Sequence, residues 1–397
     1  MSRVLFEWVC TECGGAYARD AVRYLCPRCG ASYKPGEPLR GVLEARFDCA
    51  AIAARWRAGE KLEDLLCAVE REHHPPYPVG RTPLSRAPRL GAAFGLEDVW
   101  VKNDGQNPSG SLKDRASFLV VAEAIRLGEQ TIVAASTGNA ASALAAVCAA
   151  AGRTAVIYVP RAAPRAKLVQ MALYGADVRL VDGTYDDAFA LSLAHTAERG
   201  GLNRNTAYHP LTIEGKKTAA LEICESLGKA PDWVVVPVGD GVIISGVWKG
   251  FSDLFKVGAI DRMPRLVCVQ AESSDAIHRY IATGTYAPAP HPRTIADSIS
   301  VSAPSNAHMA RRAVLESNGL SFTVTDGEIL AAQRTLARTT GVFAEPAAAA
   351  AIAGLGKLRD HVGPGERVVA LVTGHGLKDV DAALRALELP DPAEGAR

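Results

Sequence analysis

The sequence lacks three features that would mark large classes of protein. No apolar run approaches the roughly 20 residues that span a bilayer, so no membrane-spanning helix is predicted. Neither sign of charge dominates, because 44 basic residues face 43 acidic ones, which gives no general attraction to nucleic acid or anionic lipid. The N-terminal stretch has no basic start followed by the apolar core of a secretion signal. We therefore expect a cytoplasmic protein that acts on a small molecule, without a nucleic-acid or membrane partner.

Short apolar runs alternate along the chain with longer segments in which apolar residues recur at helical spacing. Such runs are typical of parallel strands that are buried on both faces. They span Thr131–Ala135, Thr154–Val159, Asp177–Val181, Trp233–Val238, Arg265–Gln270 and Arg367–Val372. The alternation predicts an α/β fold with open, mostly parallel sheets. Ligands of such sheets bind at the carboxyl ends of the strands.

A lysine occupies an unusual position in the stretch NPSGSLKDRAS, residues 107–117, where a turn-rich approach meets the start of a predicted helix. The amine of Lys113 can form a Schiff base with a carbonyl cofactor if the site holds it close and partly neutral. The simpler interpretation is a surface lysine at a helix N-terminus, where a cation opposes the helix dipole only mildly. The lysine alone does not separate these interpretations.

Three turns that follow predicted strands favour the reactive interpretation. Residues 134–140, AASTGNA, crowd Ser136, Thr137 and Asn139 into a turn. The hydroxyls of the serine and the threonine and the free backbone N–H groups of the turn can receive a carboxylate or phenolate oxygen. The same groups can also simply cap the following helix. The second turn, GDG at 239–241, lets the backbone close around an anion, although a lone glycine loop is a weak signal. The third turn is TGHGLKD at 373–379.

Five motifs occur in one order along the chain: NPSGSLKDRAS, ASTGNAAS, VPVGDGVIISGVWKG, GVFAEPAAAAAIAGL and TGHGLKD. In this order and at these spacings, from roughly Pro83 to Asp379, the chain resembles the threonine synthase family. That family belongs to the pyridoxal-phosphate enzymes with the tryptophan-synthase β-type fold, also called fold type II. The resemblance implies two lobes that close over the substrate, and pyridoxal 5'-phosphate as the cofactor.

The resemblance also implies roles for individual residues. Lys113 matches the family's Schiff-base lysine, with Leu112 in place of the usual phenylalanine, and would move protons during the reaction. Asn139 matches the asparagine that bonds the cofactor's ring oxygen, and Thr373 matches the residue that faces the pyridine nitrogen. The substrate carboxylate is expected at Ser136, Thr137 and Ala140. The cofactor phosphate is expected at the loop formed by Gly239, Asp240, Gly241, Val242 and Ile243.

Two positions depart from the family pattern. The phosphate loop commonly reads GNAGN, whereas this chain has GDGVI, so we expect Asp240 to point away from the phosphate or to bond another group. An arginine that helps to bind the substrate phosphate is replaced by Thr212. Cations that could compensate are Arg115, Arg161, Arg165, Lys216 and Lys217, although a solvated surface charge is the simpler interpretation of each.

Four of the nine cysteines form a separate N-terminal pattern. Cys10 and Cys13, then Cys26 and Cys29, form two C-x2-C pairs, and glycines follow the second and the fourth cysteine. Paired thiolates at this spacing can share one tetrahedral ion. The pattern predicts a structural zinc ribbon, with unmetallated thiols or a nucleic-acid ribbon as the alternatives. The other five cysteines are expected to be small buried apolar residues.

These observations lead to one main hypothesis. The chain has a zinc ribbon at 1–40, a large cofactor-binding domain at 41–113 and 218–397, and a small mobile substrate domain at 114–217. It converts O-phosphohomoserine and water into L-threonine and phosphate, as a homodimer. The alternative is a β-elimination or β-replacement on another activated amino acid, as in serine/threonine dehydratases or cysteate synthase, which Thr212 and Asp240 favour. A third hypothesis is a zinc-ribbon binding protein on a retired enzyme fold.

Overall fold

The computed structural model describes residues 6–34, 36–136, 138–161 and 165–387, and the structural statements below concern these residues. Within them, thirteen strands form three sheets. The strands are β1 (Phe6–Cys10), β2 (Ala16–Tyr17), β3 (Leu43–Phe47), β4 (Leu84–Arg86), β5 (Asp98–Asn103), β6 (Thr131–Ala135), β7 (Thr154–Pro160), β8 (Asp177–Val181), β9 (Leu202–Asn203), β10 (Trp233–Pro237), β11 (Arg265–Ala271), β12 (Leu320–Val324) and β13 (Arg367–Val372).

Two of the sheets are built on parallel strands. The largest has the order β12-β11-β10-β13-β5-β4, and its pairs are parallel except that the edge strand β4 is antiparallel to β5. The second sheet has the order β8-β7-β6-β9 and is parallel throughout. A small antiparallel sheet, β2-β1-β3, belongs to the N-terminal segment. The predicted α/β fold with mostly parallel sheets is confirmed.

Fourteen α-helices lie between or beside these strands in the described part of the chain. They are α1 (Cys49–Arg57), α2 (Leu62–Leu65), α3 (Pro88–Phe94), α4 (Lys113–Leu127), α5 (Asn139–Ala151), α6 (Arg165–Leu173), α7 (Tyr185–Arg199), α8 (Leu211–Leu227), α9 (Val242–Val257), α10 (Ala276–Thr283), α11 (Ala307–Glu316), α12 (Asp326–Thr340), α13 (Pro346–Leu358) and α14 (Val380–Leu387). Each of the six strands predicted from apolar runs is present, with ends that differ by at most one residue.

The central strands of the largest sheet are buried on both faces, as predicted. In β10, Val234 and Val236 pack into the larger hydrophobic core, whereas Val235 packs on the other side against the alanine-rich helix α13. The same prediction for Asp177–Val181 is wrong. Strand β8 lies at the edge of its sheet, and the side chains of Asp177 and Leu180 are exposed.

Helices α8 and α9 pack closely because glycine removes a side chain at their crossing. A Cβ added to Gly246 would lie 2.7 Å from the Cβ of Lys216 and 2.9 Å from the carbonyl oxygen of Ile213. Real Cβ atoms do not approach other atoms so closely, so a larger residue would separate the two helices. The first turns of α8 and α9 are thereby held side by side.

The predicted division into lobes stays a prediction. The four-stranded sheet falls entirely inside residues 114–217, but one predicted boundary coincides with the start of α4 and the other falls within α8. The N-terminal sheet also extends past the predicted boundary at residue 40, because β3 pairs with β1. None of the helices described here combines the length and the apolar character that crossing a membrane requires.

Candidate active site

Lys113 is the first residue of α4 and lines a cavity of about 480 Å³. A backbone bond of 2.9 Å from the Leu112 N–H to the Thr373 carbonyl oxygen ties the start of α4 to the end of β13. The neighbouring Asp114 fixes the preceding turn, because its carboxylate accepts from the Ser109 N–H at 2.8 Å. Burial raises the pKa of Asp114 to about 6. The sequence SGSLKD therefore builds a rigid turn that holds Lys113 on the cavity wall.

Asn139 opens α5 at the carboxyl end of β6 and lines the same cavity. Its Nδ2 donates to both carboxylate oxygens of Glu345, at 2.8 and 3.0 Å. Its Oδ1 is buried and has no hydrogen-bond partner in the described structure. A buried amide oxygen without a donor is costly in a folded protein, so this atom is available to a group that enters the cavity.

Glu345 is a site residue that the sequence reasoning missed. It precedes Pro346 at the N-cap position of α13, where the helix dipole ordinarily explains an acidic residue. Its side chain makes no capping bond and turns instead to Asn139, which is 206 residues away in the chain. Glu345 is only 3% exposed. The motif GVFAEPA contains the signal, since it places one acidic residue inside an otherwise apolar stretch, but the sequence does not name its partner.

The loop Gly239–Ile243 follows β10, includes the first two residues of α9 and forms another wall of the cavity. Gly241 has φ of 85° and serves as the N-cap of α9, a conformation that favours glycine. Helix α9 presents the N–H groups of its first turn, which have no intrahelical acceptor. Asp240 also lines the cavity, its Oδ1 accepts a long bond of 3.4 Å from the Ser305 N–H, and burial raises its pKa.

The remaining residues predicted to contact cofactor or substrate fall in two places. Ser136 and Ala140 line the cavity beside Asn139, and the Ser136 hydroxyl accepts from the Gly138 N–H at 3.1 Å. Thr373 lines it at the end of β13 and is 4% exposed. Thr137 lies outside the described residues. The structure therefore brings Lys113 together with segments that are up to 260 residues away in the chain (113 to 373).

The cations proposed to compensate for Thr212 have different surroundings. Arg115 is buried in a network with Asp104 and Glu222, and Arg161 pairs with Asp182 on the surface. Lys217 is ion-paired, and the side chain of Arg165 lies outside the described structure. Thr212 itself is locked in a turn, because its hydroxyl donates to the His209 carbonyl at 2.8 Å. Of this set, Lys216 lines the cavity.

The N-terminal segment contributes to the cavity, which the sequence reasoning did not predict. Tyr33, Glu37 and Leu39 line it, and the Leu39 N–H donates to the Ser305 carbonyl at 2.9 Å. The segment follows the fourth cysteine of the predicted ribbon directly. The cysteine spacing predicts the ribbon itself, but it gives no sign of which surface the ribbon packs against.

The four N-terminal cysteines converge on one point. The sulfur atoms of Cys10, Cys13, Cys26 and Cys29 all lie within 4.8 Å of one another, and those of Cys13 and Cys26 are 3.8 Å apart. A tetrahedron of sulfurs around zinc, with Zn–S of about 2.3 Å, has edges of about 3.8 Å. The Tyr17 hydroxyl lies 3.0 Å from the sulfur of Cys26, and Arg28 donates to the sulfur of Cys13 at 3.2 Å.

Comparison with known proteins decides the family. Residues 76–374 match the family described as "Pyridoxal-phosphate dependent enzyme". The threonine synthase of Methanosarcina acetivorans is 37% identical over 97% of this chain and 95% of its own length. The threonine synthase of Methanocaldococcus jannaschii is 38% identical over 96% and 95%. The chain belongs to the threonine synthase family of pyridoxal-phosphate-dependent enzymes. The resemblance predicted from the sequence is thereby confirmed, and with it the class of enzyme and pyridoxal phosphate as the cofactor.

Solved structures agree on the fold. The structure of maize serine racemase superimposes with a TM-score of 0.66 at 23% identity and covers 78% of this chain and 92% of that one. Similarity at this level of identity bears on the fold alone. It supports fold type II, with mixed and parallel sheets, for the described part of the chain.

The residues on the cavity wall fit the family's cofactor. Lys113 offers a primary amine and Asn139 an unsatisfied amide oxygen, and the first turn of α9 offers backbone donors for a phosphate. Glycine at position 241 also lets the loop pack closely against α11, since a Cβ there would lie 2.9 Å from the Ala310 Cβ and the Asn306 carbonyl oxygen. Larger residues there would force the loop away from α11 and disturb the start of α9.

Proposed function

We propose that the chain converts O-phosphohomoserine and water into L-threonine and inorganic phosphate. The observation that carries the proposal is the convergence on one cavity of Lys113, the turn at Asn139 and the loop Gly239–Ile243, in a chain whose relatives include threonine synthases. The first supplies an amine, the second an amide and N–H groups, and the third an anion-binding helix start. Pyridoxal phosphate, when bound, supplies the electron sink for carbanion chemistry next to the substrate amine.

Holding the cofactor would be divided among three segments. Lys113 would bind it covalently through Nζ, and the N–H groups of Gly241, Val242 and Ile243 would receive its phosphate at the start of α9. Asn139 would meet the ring oxygen, in an orientation fixed by Glu345. Thr373 carries a neutral hydroxyl, which does not hold a ring nitrogen protonated as a carboxylate would.

Lys113 would also move protons during the reaction. Its Nζ would take the proton from Cα of the substrate and would serve the later proton transfer at Cβ. The substrate carboxylate would lie at the N-terminus of α5, where Ser136 and Ala140 line the cavity and the first N–H groups of the helix could receive it. Thr137, predicted to share this role, is outside the described residues.

The direct test is to add O-phosphohomoserine to purified, cofactor-loaded protein and to measure inorganic phosphate together with the amino-acid product. We expect one phosphate for each threonine formed. Release of phosphate with a 2-oxo acid in place of threonine would contradict the proposal, as would turnover of serine or threonine but not of O-phosphohomoserine. Either result would assign the chain to the alternative β-elimination chemistry.

We also propose that Cys10, Cys13, Cys26 and Cys29 hold one structural zinc ion. The convergence of the four sulfurs, with a Cys13–Cys26 separation that matches a zinc tetrahedron, supports this proposal. Metal analysis of the purified protein should give one zinc per chain, and Cys13→Ser should reduce it, whereas Cys67→Ser, outside the cluster, should leave it unchanged. A protein that purifies with no metal and four titratable thiols in this segment would contradict the proposal.

A further inference from the structure

Lys216 is a buried cation that faces the cavity without a counter-ion. It is 1% exposed, lies in the second turn of α8 and lines the cavity. Among the residues that the structure describes, its ammonium has no hydrogen-bond or ion-pair partner. Burial, followed by the charges of Arg204 and Lys113, lowers the pKa of Lys216 well below its ordinary value.

Arg204 is a second buried cation in the same region. It is 1% exposed, and its Nε and Nη1 donate at 3.1 Å to the hydroxyls of Ser117 and Thr206. Its Nη2 is buried and has no acceptor among the described residues. Thr206 lines the cavity, and Ser117 lies one turn after Lys113 on α4. Arg204 therefore sits behind the cavity wall on the side of Lys113, with only neutral side-chain partners.

The acidic groups near these cations do not neutralise them by direct contact. Asp240 is close enough to influence the pKa of Lys216, but its Oδ1 accepts from the Ser305 N–H, and burial raises its own pKa. Asp114 is close enough to influence the pKa of Arg204, but its carboxylate accepts from the Ser109 N–H. Two cations buried near each other, without a paired carboxylate, are unfavourable in the empty fold. Such an arrangement is retained where an anion enters and supplies the missing charge.

We infer that Lys216 and Arg204 form a subsite for a phosphoryl dianion, and that its occupant is the phosphate of the substrate. The inference rests on the proposed function. The first turn of α9 already offers donors for the cofactor phosphate, whereas Arg204 is bonded to the helix that carries Lys113. The two cations thus take the place of the arginine that Thr212 replaces.

The subsite has a specific task in the reaction. When the bond between Cγ and oxygen breaks, its electron pair stays on that oxygen and inorganic phosphate leaves with the added charge. Cations that are already in position stabilise this charge without reorganising. A substrate with an uncharged hydroxyl, such as serine, would leave both cations uncompensated, so the subsite also selects for phosphorylated amino acids.

The test uses inorganic phosphate as the probe and the cofactor-loaded protein as the receptor. Phosphate binding is measured by calorimetry at constant ionic strength, and cofactor content is measured in the same samples. We expect Lys216→Met to weaken phosphate binding at least tenfold and Lys216→Arg to retain most of it. The cofactor content of both variants and the midpoint of thermal unfolding of Lys216→Met should not fall, because the methionine variant removes an unpaired charge. Lys256→Met, at an exposed position of α9, is the matched control and should bind phosphate as the wild type does.

Arg204→Met provides a second, independent arm and should weaken phosphate binding in the same direction. Absence of phosphate binding by the wild type, or equal binding by Lys216→Met, would overturn the inference. Loss of cofactor from Lys216→Met would also overturn it, because the subsite would then belong to the cofactor phosphate. If phosphate binding depends on Lys216 but O-phosphohomoserine is not converted, the proposed function fails and the subsite stands for another phosphorylated substrate.

Discussion

Lys216 and Lys217 are consecutive residues of α8 and are equally buried, at 1% exposure, yet their surroundings are opposite. The ammonium of Lys217 lies 2.6 Å from Glu214 Oε2 and 2.9 Å from Asp253 Oδ2, and 3.9 Å above the ring of Phe47. Lys216 faces the cavity and has no such partner in the described structure. Neighbouring helix positions point about 100° apart, so one helix turns one cation toward the core and the next toward the ligand.

The contrast between Lys216 and Lys217 distinguishes a buried charge that stabilises the fold from one that serves a ligand. A buried cation with two carboxylates is part of the packing between α8, α9 and β3. A buried cation that faces a cavity without a carboxylate partner is explained by an anionic ligand that binds there. The sequence GKKT does not show which of the two lysines is paired, because they are adjacent and identical and share the same local surroundings.

The largest effect is expected at the third lysine of the region, Lys113. Lys113→Ala should abolish turnover, because the variant lacks the amine that is proposed to bind the cofactor and to move the protons of the substrate. Borohydride reduction followed by mass spectrometry should attach the cofactor to the wild type and not to the variant. Phosphate binding through Lys216 should persist in the variant, which separates chemistry from anion binding. Turnover or covalent attachment that survives the substitution would remove Lys113 from its proposed role.

The next effect tests the comparison itself through stability. Lys217→Met leaves Glu214 and Asp253 with only Lys249 as a cationic partner, and we expect it to lower the free energy of unfolding by about 3 kcal/mol. Lys216→Met, the same substitution at the same burial, should leave that free energy unchanged or raise it. Urea unfolding of both variants in parallel measures the difference. Equal losses would mean that Lys216 is structural too and that the distinction between the two lysines is wrong.

Much of the fold could be predicted because its signals are local. Apolar runs bounded by turns located six strands to within one residue at each end, and the rule that ligands bind at the carboxyl ends of parallel strands brought Asn139, Gly239 and Thr373 together. The interpretation of β8 was wrong because an edge strand exposes one side, and position in a sheet is not encoded in the strand itself.

The rest of the site depends on packing between distant segments. The bond from Asn139 to Glu345, the placement of Arg204 and the approach of Tyr33 to the cavity each join parts of the chain that no local pattern relates. Thr212 illustrates the same limit, because the resemblance predicts a departure from a family arginine at this position but does not show which cations surround the cavity. Only the tertiary structure distinguishes Lys216 from the candidates Arg115, Arg161 and Lys217.

An effect of similar size, but one that depends on pH, is expected at Glu222, which belongs to a fully paired buried cluster. Its carboxylate lies 2.6 Å from Lys102 Nζ and 2.5 Å from Arg115 Nη1. Although burial opposes the charged form, Arg115 and Lys102 outweigh it and lower the pKa of Glu222 to about 2, from an ordinary value of 4.5. The unfolded chain therefore binds a proton more tightly than the folded one. The resulting stabilisation, about 3 kcal/mol, is complete above pH 4.5 and is lost as the pH falls through 2.

Glu222→Gln should remove that part of the acid-dependent loss of stability between pH 4.5 and 2, measured by urea unfolding at several pH values. At neutral pH the variant should already be less stable than the wild type, because two buried cations lose a counter-charge. Glu225→Gln, at an exposed position of the same helix, is the control and should keep the wild-type pH profile. An unchanged profile in Glu222→Gln would show that the cluster does not contribute in this pH range.

The smallest effect is expected for the exposed pair of Arg161 and Asp182. Their side chains are 61% and 77% exposed, although Arg161 Nε lies 2.5 Å from Asp182 Oδ1. Solvent screens such a pair, and holding two long side chains in one geometry costs entropy. Arg161→Ala should therefore change neither thermal unfolding nor phosphate binding measurably. Weaker phosphate binding in this variant would mean that Arg161 leaves its partner to reach the anion, and the phosphate subsite would then include a cation from the surface as well as the two that are buried.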